Sequence, residues 1–274
     1  MPGRKYSLAQ LTVLSWSPPE MICNARTLGY DCVGIRPISM GVKGENDFDL
    51  AKNKRLFDLT RQALDETGLF IHDIELAKIG DGIDVKNYES AFEAAARLDV
   101  KHVISSIWTD KKDFYLDQFA ALCDLAAQYG ITVNLEFVTW ASVSTLKAVR
   151  EVLDAVKRPN AGIMVDTLHF NRSRVRPEEL DDCPPELFHM AHICDGPAEI
   201  PTDKEGLIHT GRDARYYVGE GAIDIADIIR RLPSHTVLSI ELPHLARVAD
   251  WGATEHARRC LTTAKEYMSK HGIV

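Results

Sequence analysis

An α/β fold, eight βα units closed into a (β/α)₈ barrel, is what this sequence predicts. Three observations predict it. Apolar runs of strand length recur at roughly 30-residue spacing, the period of a βα unit. Stripes of apolar residues at i, i+3, i+4 and i+7 lie between them, as in helices packed on a sheet. The chain has 274 residues, 45% of them apolar. That length suits one barrel, read as a single domain over residues 1–274. The rival, an open doubly wound sheet, would carry a glycine-rich dinucleotide turn after its first strand, and no GxGxxG occurs there.

The strands are expected in this order. The first is Leu11 to Leu14, followed by Cys32 to Ile35. The third, Leu69 to Ile74, comes after Gly68. The fourth is Val103 to Trp108. The fifth, Ile131 to Phe137, follows Gly130. Ala161 to Val165, Leu187 to Ile193 and Val237 to Ile240 complete the set. Of the helices between them, one presents Leu56, Leu59, Ala63 and Leu64 on a face and is stopped by Gly68. Another presents Ala91, Ala94, Ala95 and Leu98. A third presents Phe119, Leu122, Cys123 and Ala126 and is stopped by Gly130. The last helix, Thr254 to Lys270, has Ala257, Leu261, Ala264 and Met268 to pack on the barrel. Ala198 to Tyr217 reads as a long polar loop after strand seven. A loop of that length at a strand's C-terminal end is a functional candidate.

Composition sets limits on function. Acids outnumber bases by 40 to 32, giving a net charge of −8. That argues against a nucleic-acid partner. No apolar run is long enough for a membrane span, and no signal-peptide pattern opens the chain. The six cysteines are scattered without a CxxC, the usage of reduced thiols in a cytoplasmic protein. Oligomeric state is left open, a homo-oligomer included.

The chemistry is expected where barrel active sites lie, at the C-terminal ends of the strands. Strand five closes on Glu136, strand six on Asp166, strand seven on His192 and Asp195, and strand eight on Glu241. Three carboxylates buried together are costly unless a cation neutralises them. Three carboxylates and an imidazole suit Mn²⁺ first, with Mg²⁺, Co²⁺ or Zn²⁺ as alternatives. His192 is preferred to His189 as the imidazole, because it lies nearer the strand's C-terminal end. The spacing of three places the two on opposite faces of a regular strand, so His189 is expected to face the helices. Glu75, closing strand three, is expected to point into the pocket. Trp16, Arg36 and Trp108 are candidates for its wall. Glu220 is read as serving a turn, and His102, which precedes its strand, is given no chemistry.

These residues carry a resemblance. The chain is similar over nearly its full length to the xylose-isomerase-like TIM-barrel superfamily of sugar isomerases and epimerases, inosose dehydratases and AP endonucleases. The matching pieces are Asn134-Leu135-Glu136, Asp166-x-x-His169 with the following Arg172-Ser173, Ala191-His192, the run from Arg212 through Arg215 to Gly219-Glu220-Gly221, and Ser239-Ile240-Glu241. The resemblance implies metal ligation by Glu136, Asp166, His192 and Glu241, the same four that close the strands. It also implies that His169 and Arg215 contact substrate oxygens. Glu75 and Trp108 complete the expected substrate-binding set.

The expected activity is isomerisation or epimerisation of a sugar or keto-sugar by proton transfer through a metal-stabilised enediolate. Glu136 and Glu241 would be its acid/base pair. The runner-up is a lyase that expels a β-substituent from a keto-cyclitol, a dehydroshikimate-like substrate or a 3-keto-glycoside. An AP endonuclease ranks lower, given the net charge and the shortage of histidines at the other strand ends.

Overall fold

The computed structural model describes residues 3–41 and 45–273. Eight parallel strands close a barrel in sequence order, β1 pairing with β8. They are β1 (Tyr6–Ala9), β2 (Cys32–Ile35), β3 (Phe70–Ile79), β4 (His102–Ile107), β5 (Thr132–Glu136), β6 (Ala161–Asp166), β7 (Phe188–Ile193) and β8 (Val237–Ile240). Each parallel pair needs a crossover, and helices supply most of them. They are α1 (Pro18–Leu28), α2 (Lys54–Thr67), α3 (Glu89–Arg97), α4 (Lys112–Gln128), α5 (Leu146–Val156), α6 (Thr167–Arg172), α7 (Lys204–Asp213), α8 (Ile225–Arg231), α9 (Leu245–Trp251) and α10 (Ala253–Lys270).

Local chemistry sets the helix ends. Ser17 and Glu20 form a capping box on α1 with Pro18 at its first position, and Gly29 ends it at φ +90°. Asn53 caps α2, its side chain accepting from Leu56 N, and Gly68 stops it at φ +69°. The buried face of α2 is Phe57, Thr60, Ala63 and Leu64. Leu59, expected on that face, is 42% exposed. The stripe runs one residue round from the expected one, because Phe57 takes the inner position. The face expected of α10 is buried, with His256 and Cys260 added to it.

The first strand lies earlier than expected. Leu11–Val13 belong to a 3₁₀ turn (Gln10–Val13), and the strand is Tyr6–Ala9. Its inward Ser7 breaks the apolar run that would have marked it, whereas Leu11 and Val13 owe their apolarity to the cavity they line. The stretch expected as a loop from Ala198 to Tyr217 holds α7, whose N-cap Asp203 accepts from Gly206 N at 2.8 Å.

Two apolar layers result. The larger lies between strands and helices. The smaller joins Cys32, Leu76, Ile104, Met164, Met190 and Val237. Those residues come from six different strands, so they meet only inside the barrel. Below this layer, rings of His72, His102 and His189 form a row with successive centroids 4.7 Å apart. His189 therefore faces the interior, not the helices. The cause is a register shift. Ile163 pairs with Phe188 and Val165 with Ala191, so β7 carries one extra residue against β6. Such a bulge breaks the alternation on which the expectation rested. Within the floor, Asn134 Oδ1 lies 2.9 Å from His189 Nδ1. Gly162 leaves them room, since a Cβ there would sit 2.6 Å from that oxygen.

Candidate metal centre

Four successive strands, β5 to β8, bring Glu136, Asp166, His192 and Glu241 together at the C-terminal end of the barrel. One ligand atom from each lies within 4.8 Å of all the others, and all four residues are buried. His192 Nδ1 is the hub. It lies 3.2 Å from Glu241 Oε2, 3.9 Å from Asp166 Oδ2 and 4.0 Å from Glu136 Oε1. Neither ring nitrogen of His192 has a hydrogen-bond partner.

Arg215 supplies a counter-charge. Its Nη1 donates to Asp166 Oδ2 at 2.6 Å, and its Nη2 lies 2.9 Å from Glu241 Oε2. Its Nε donates to Gly211 O at 2.7 Å and fixes the head group. The side chain expected to touch substrate oxygens thus first spans two carboxylates of the cluster, while still lining the cavity. Three carboxylates and one guanidinium leave a charge that a divalent cation cancels when His192 is neutral. The donor set fits such an ion: three hard carboxylates and one borderline imidazole nitrogen.

The charges shape each group. Burial would raise the Asp166 carboxyl, but the charge of Arg215 holds it below its ordinary value. Burial would also raise Glu241, yet His192 and Arg215 hold it far below the usual carboxylate range. Glu136 has no hydrogen-bond donor in reach among the described residues. Burial, then the charges of Glu241 and Asp166, push it well up. For His192, burial alone would lower the value; the charge of Glu241, 3.2 Å from its Nδ1, prevails and raises it to about 10.

Asp166 also starts α6, its Oδ1 accepting from Leu168 N at 2.7 Å and His169 N at 3.0 Å. This cap fixes the next site residue, His169. Its Nδ1 accepts from Thr139 N at 3.4 Å and lies 3.1 Å from Thr139 Oγ1. A backbone N–H only donates, so Nδ1 is the unprotonated nitrogen and Nε2 carries the proton. Burial lowers the His169 pKa to about 4 and keeps the ring neutral.

A cavity of about 490 Å³ opens on the cluster. Its wall includes Trp108, Trp140, His169, Glu75 and Arg36. Trp108 is held by its indole N–H, which donates to Ser106 Oγ at 2.7 Å. Glu75 Oε2 accepts from Arg36 Nη1 at 2.8 Å. Trp16, the other wall candidate, is buried away from the cavity. Among the lining residues that the sequence did not single out are Thr12, Trp140 and His244. Trp140 sits four residues beyond Glu136, and position after a strand end was the signal that could have found it.

Asp195, the second ionisable residue closing β7, does structural work. Its carboxylate accepts from the backbone N–H groups of Gly196, Gly219, Gly221 and Ile223, at 2.8 to 3.0 Å. This explains the Gly219-Glu220-Gly221 run. Gly219 has φ +91°, and a Cβ on Gly221 would sit 2.2 Å from Gly196 O. Glu220 Oε2 accepts from Tyr217 N and pairs with Arg247 at 2.9 Å. The turn closes the segment that carries Arg215. No helix among the described residues is long and apolar enough to cross a membrane.

The comparisons with known proteins agree with this architecture. An inosose isomerase from Bacillus velezensis (strain DSM 23117 / BGSC 10A6 / LMG 26770 / FZB42) is 25% identical over 233 residues, 78% of this chain and 79% of that protein. The crystal structure of the IolI protein with a bound zinc atom superposes with a TM-score of 0.81 at 20% identity, covering 97% of this chain and 99% of that one. D-allulose 3-epimerase from Methylomonas sp., in complex with D-allulose, gives 0.70 at 18% identity, with 97% and 98% covered. At those identities the two structures establish the likeness of fold. The model of the xylose isomerase-like TIM barrel matches residues 22–264, and with most of its length matched the chain belongs to that family.

Proposed function

We propose that the protein is a divalent-metal-dependent isomerase or epimerase of a keto-sugar or keto-cyclitol. The observation that carries this reading is the convergence of Glu136, Asp166, His192 and Glu241 on one point beside a cavity of sugar size. Those four side chains would hold the ion. Mn²⁺ is the first to test, with Zn²⁺ beside it because the IolI structure carries zinc. Relatives named inosose isomerase and D-allulose 3-epimerase support the substrate class.

When bound, the cation supplies Lewis-acid polarisation of a substrate carbonyl and its neighbouring hydroxyl, which makes the α-proton acidic. The chain's own residues do the rest. Glu136 and Glu241 come from the outer strands of the β5–β8 arc and serve as the acid/base pair. Their surroundings differ: Glu241 is fixed between Arg215 and His192, while Glu136 is free of donors and is the better placed to move a proton. His169 presents its Nε2–H to a substrate oxygen. Arg215 balances the charge that develops as the proton leaves. Trp108 and Trp140 offer apolar faces to a sugar ring and keep water out.

The test is incubation of the metal-loaded enzyme with candidate inososes and ketohexoses in D₂O. Deuterium entering the α-carbon of a product of unchanged composition supports the reading. Loss of water from the substrate, or no exchange with any of them, overturns it.

A further inference from the structure

Glu75 was expected among the substrate contacts, and its two oxygens are not equivalent. Oε2 is committed to Arg36 Nη1 at 2.8 Å. Oε1 is buried and has no hydrogen-bond partner. It lies 3.9 Å from Nε2 of His192, which has none either. The three carboxylates of the cluster come closest to His192 through Nδ1. Glu75 comes closest through Nε2. The imidazole therefore stands between the cluster on one side and a buried, arginine-anchored carboxylate on the other.

We propose that Glu75 is a positioning residue for His192, holding the ring by its far nitrogen so that Nδ1 faces the cation. This inference rests on the metal-centre reading given above. The physical reason is general. An imidazole that binds a metal through one nitrogen must carry its proton on the other. An acceptor for that proton fixes the tautomer and ring orientation and makes the ligand more basic. Shortening the present separation by about 1 Å gives an ordinary hydrogen bond. Arg36 makes this arrangement tenable. Its backbone N–H donates to Gln10 Oε1 at 2.6 Å, its Nε lies 3.5 Å from Glu45 Oε1, and its guanidinium neutralises Glu75. The substrate-contact role expected of Glu75 would need an oxygen free for the cavity, and the geometry directs the free one at His192.

The experiment measures metal affinity, not turnover alone. Metal-free wild-type protein, Glu75→Ala and Glu75→Gln are titrated with Zn²⁺ and Mn²⁺ against a chromophoric chelator. Glu75→Ala should weaken binding 10- to 100-fold, the usual loss for an outer partner of a ligating histidine. Glu75→Gln keeps the volume and an acceptor, so its loss should be only a few-fold; it also carries the test if the alanine variant fails to fold. In ¹H–¹⁵N spectra of the Zn²⁺-loaded wild type, His192 should show a slowly exchanging Nε2–H. That resonance should disappear in Glu75→Ala. Wild-type metal affinity in both variants, with only KM raised, would overturn the proposal and return Glu75 to the substrate. A wild-type protein that takes up no divalent ion would defeat the metal-centre reading itself, which the first titration reveals before any variant is compared.

Discussion

Arg215 and Asp166 form a fully buried ion pair, Nη1 to Oδ2 at 2.6 Å, at the centre of a site otherwise crowded with carboxylates. Removing one partner of such a pair leaves an uncompensated charge, at about 3–5 kcal/mol. Arg215→Met should therefore lower metal-free stability by about that amount, measured by urea unfolding. A saturating divalent cation should restore part of the loss, because it binds only the folded state and adds about 2.7 kcal/mol at a hundredfold excess over Kd. Equal stability of variant and wild type without metal would contradict the role assigned to the pair.

His169 offers a cleaner separation of functions. Its Nδ1 is engaged by Thr139, and the residue lines the cavity. His169→Ala should lower kcat/KM about 100-fold, an ordinary loss for a positioned proton donor. Metal affinity should stay within a few-fold of wild type, since the ring is not among the four converging side chains. A large fall in metal affinity would place His169 in the wrong part of the site.

Glu136→Gln and Glu241→Gln test the acid/base pair directly. Both should abolish solvent-deuterium exchange into substrate to within about a thousandth of the wild-type rate. Treatment with a chelator should do the same to the wild type, and added Mn²⁺ or Zn²⁺ should reverse it. Exchange that survives in both variants would remove the glutamates from the proton path.

The turn built on Asp195 makes a prediction about packing. Gly221→Ala forces a Cβ against Gly196 O and the Asp195 carboxylate. The backbone must shift, so a loss of about 2–3 kcal/mol is expected. Proteolysis should then cut faster within residues 196–221, the segment that carries Arg215. Unchanged stability would mean that the turn can relax at no cost.

The histidine row sets a pH dependence. Burial lowers the His72 pKa to about 4 and that of His102 to about 3, against an ordinary 6.5. The folded protein keeps these rings neutral while the unfolded chain takes up protons below pH ~6.5. Their contribution is complete above that pH and is lost as pH falls towards 4. Between pH 7.5 and 5.5 each ring costs about 1 kcal/mol. Asp73, raised to about 8 by burial and by the charge of Glu75, acts in the opposite direction over the same window. The measurable quantity is therefore a difference: His102→Gln should lose about 1 kcal/mol less than wild type on that acidification. Parallel pH profiles for the two proteins would refute it.

Much of this was legible in the residues. Glu136, Asp166, His192 and Glu241 could be read because each closes an apolar run, and a run that ends in a charge is conspicuous. The failures have physical causes of their own. Ser7 hides β1, since a polar residue facing the barrel interior interrupts the pattern that marks a buried strand. The extra residue in β7 turned His189 inward, and nothing in a sequence of alternating residues announces a bulge. Leu59 and Phe57 compete for one helix face, and only packing decides between them. The partners of Arg215 and the two unlike oxygens of Glu75 depend on contacts between residues tens of positions apart, which no local pattern encodes.

The inner layer of Ile104, Met164 and Met190 separates the two ends of the barrel. Above it lie charges suited to an ion; beneath it lies a neutral stack of imidazoles. The apolar side chains of that layer set the two groups apart. Evolution, or an engineer, can then retune the chemistry at the top and the durability at the bottom as independent modules.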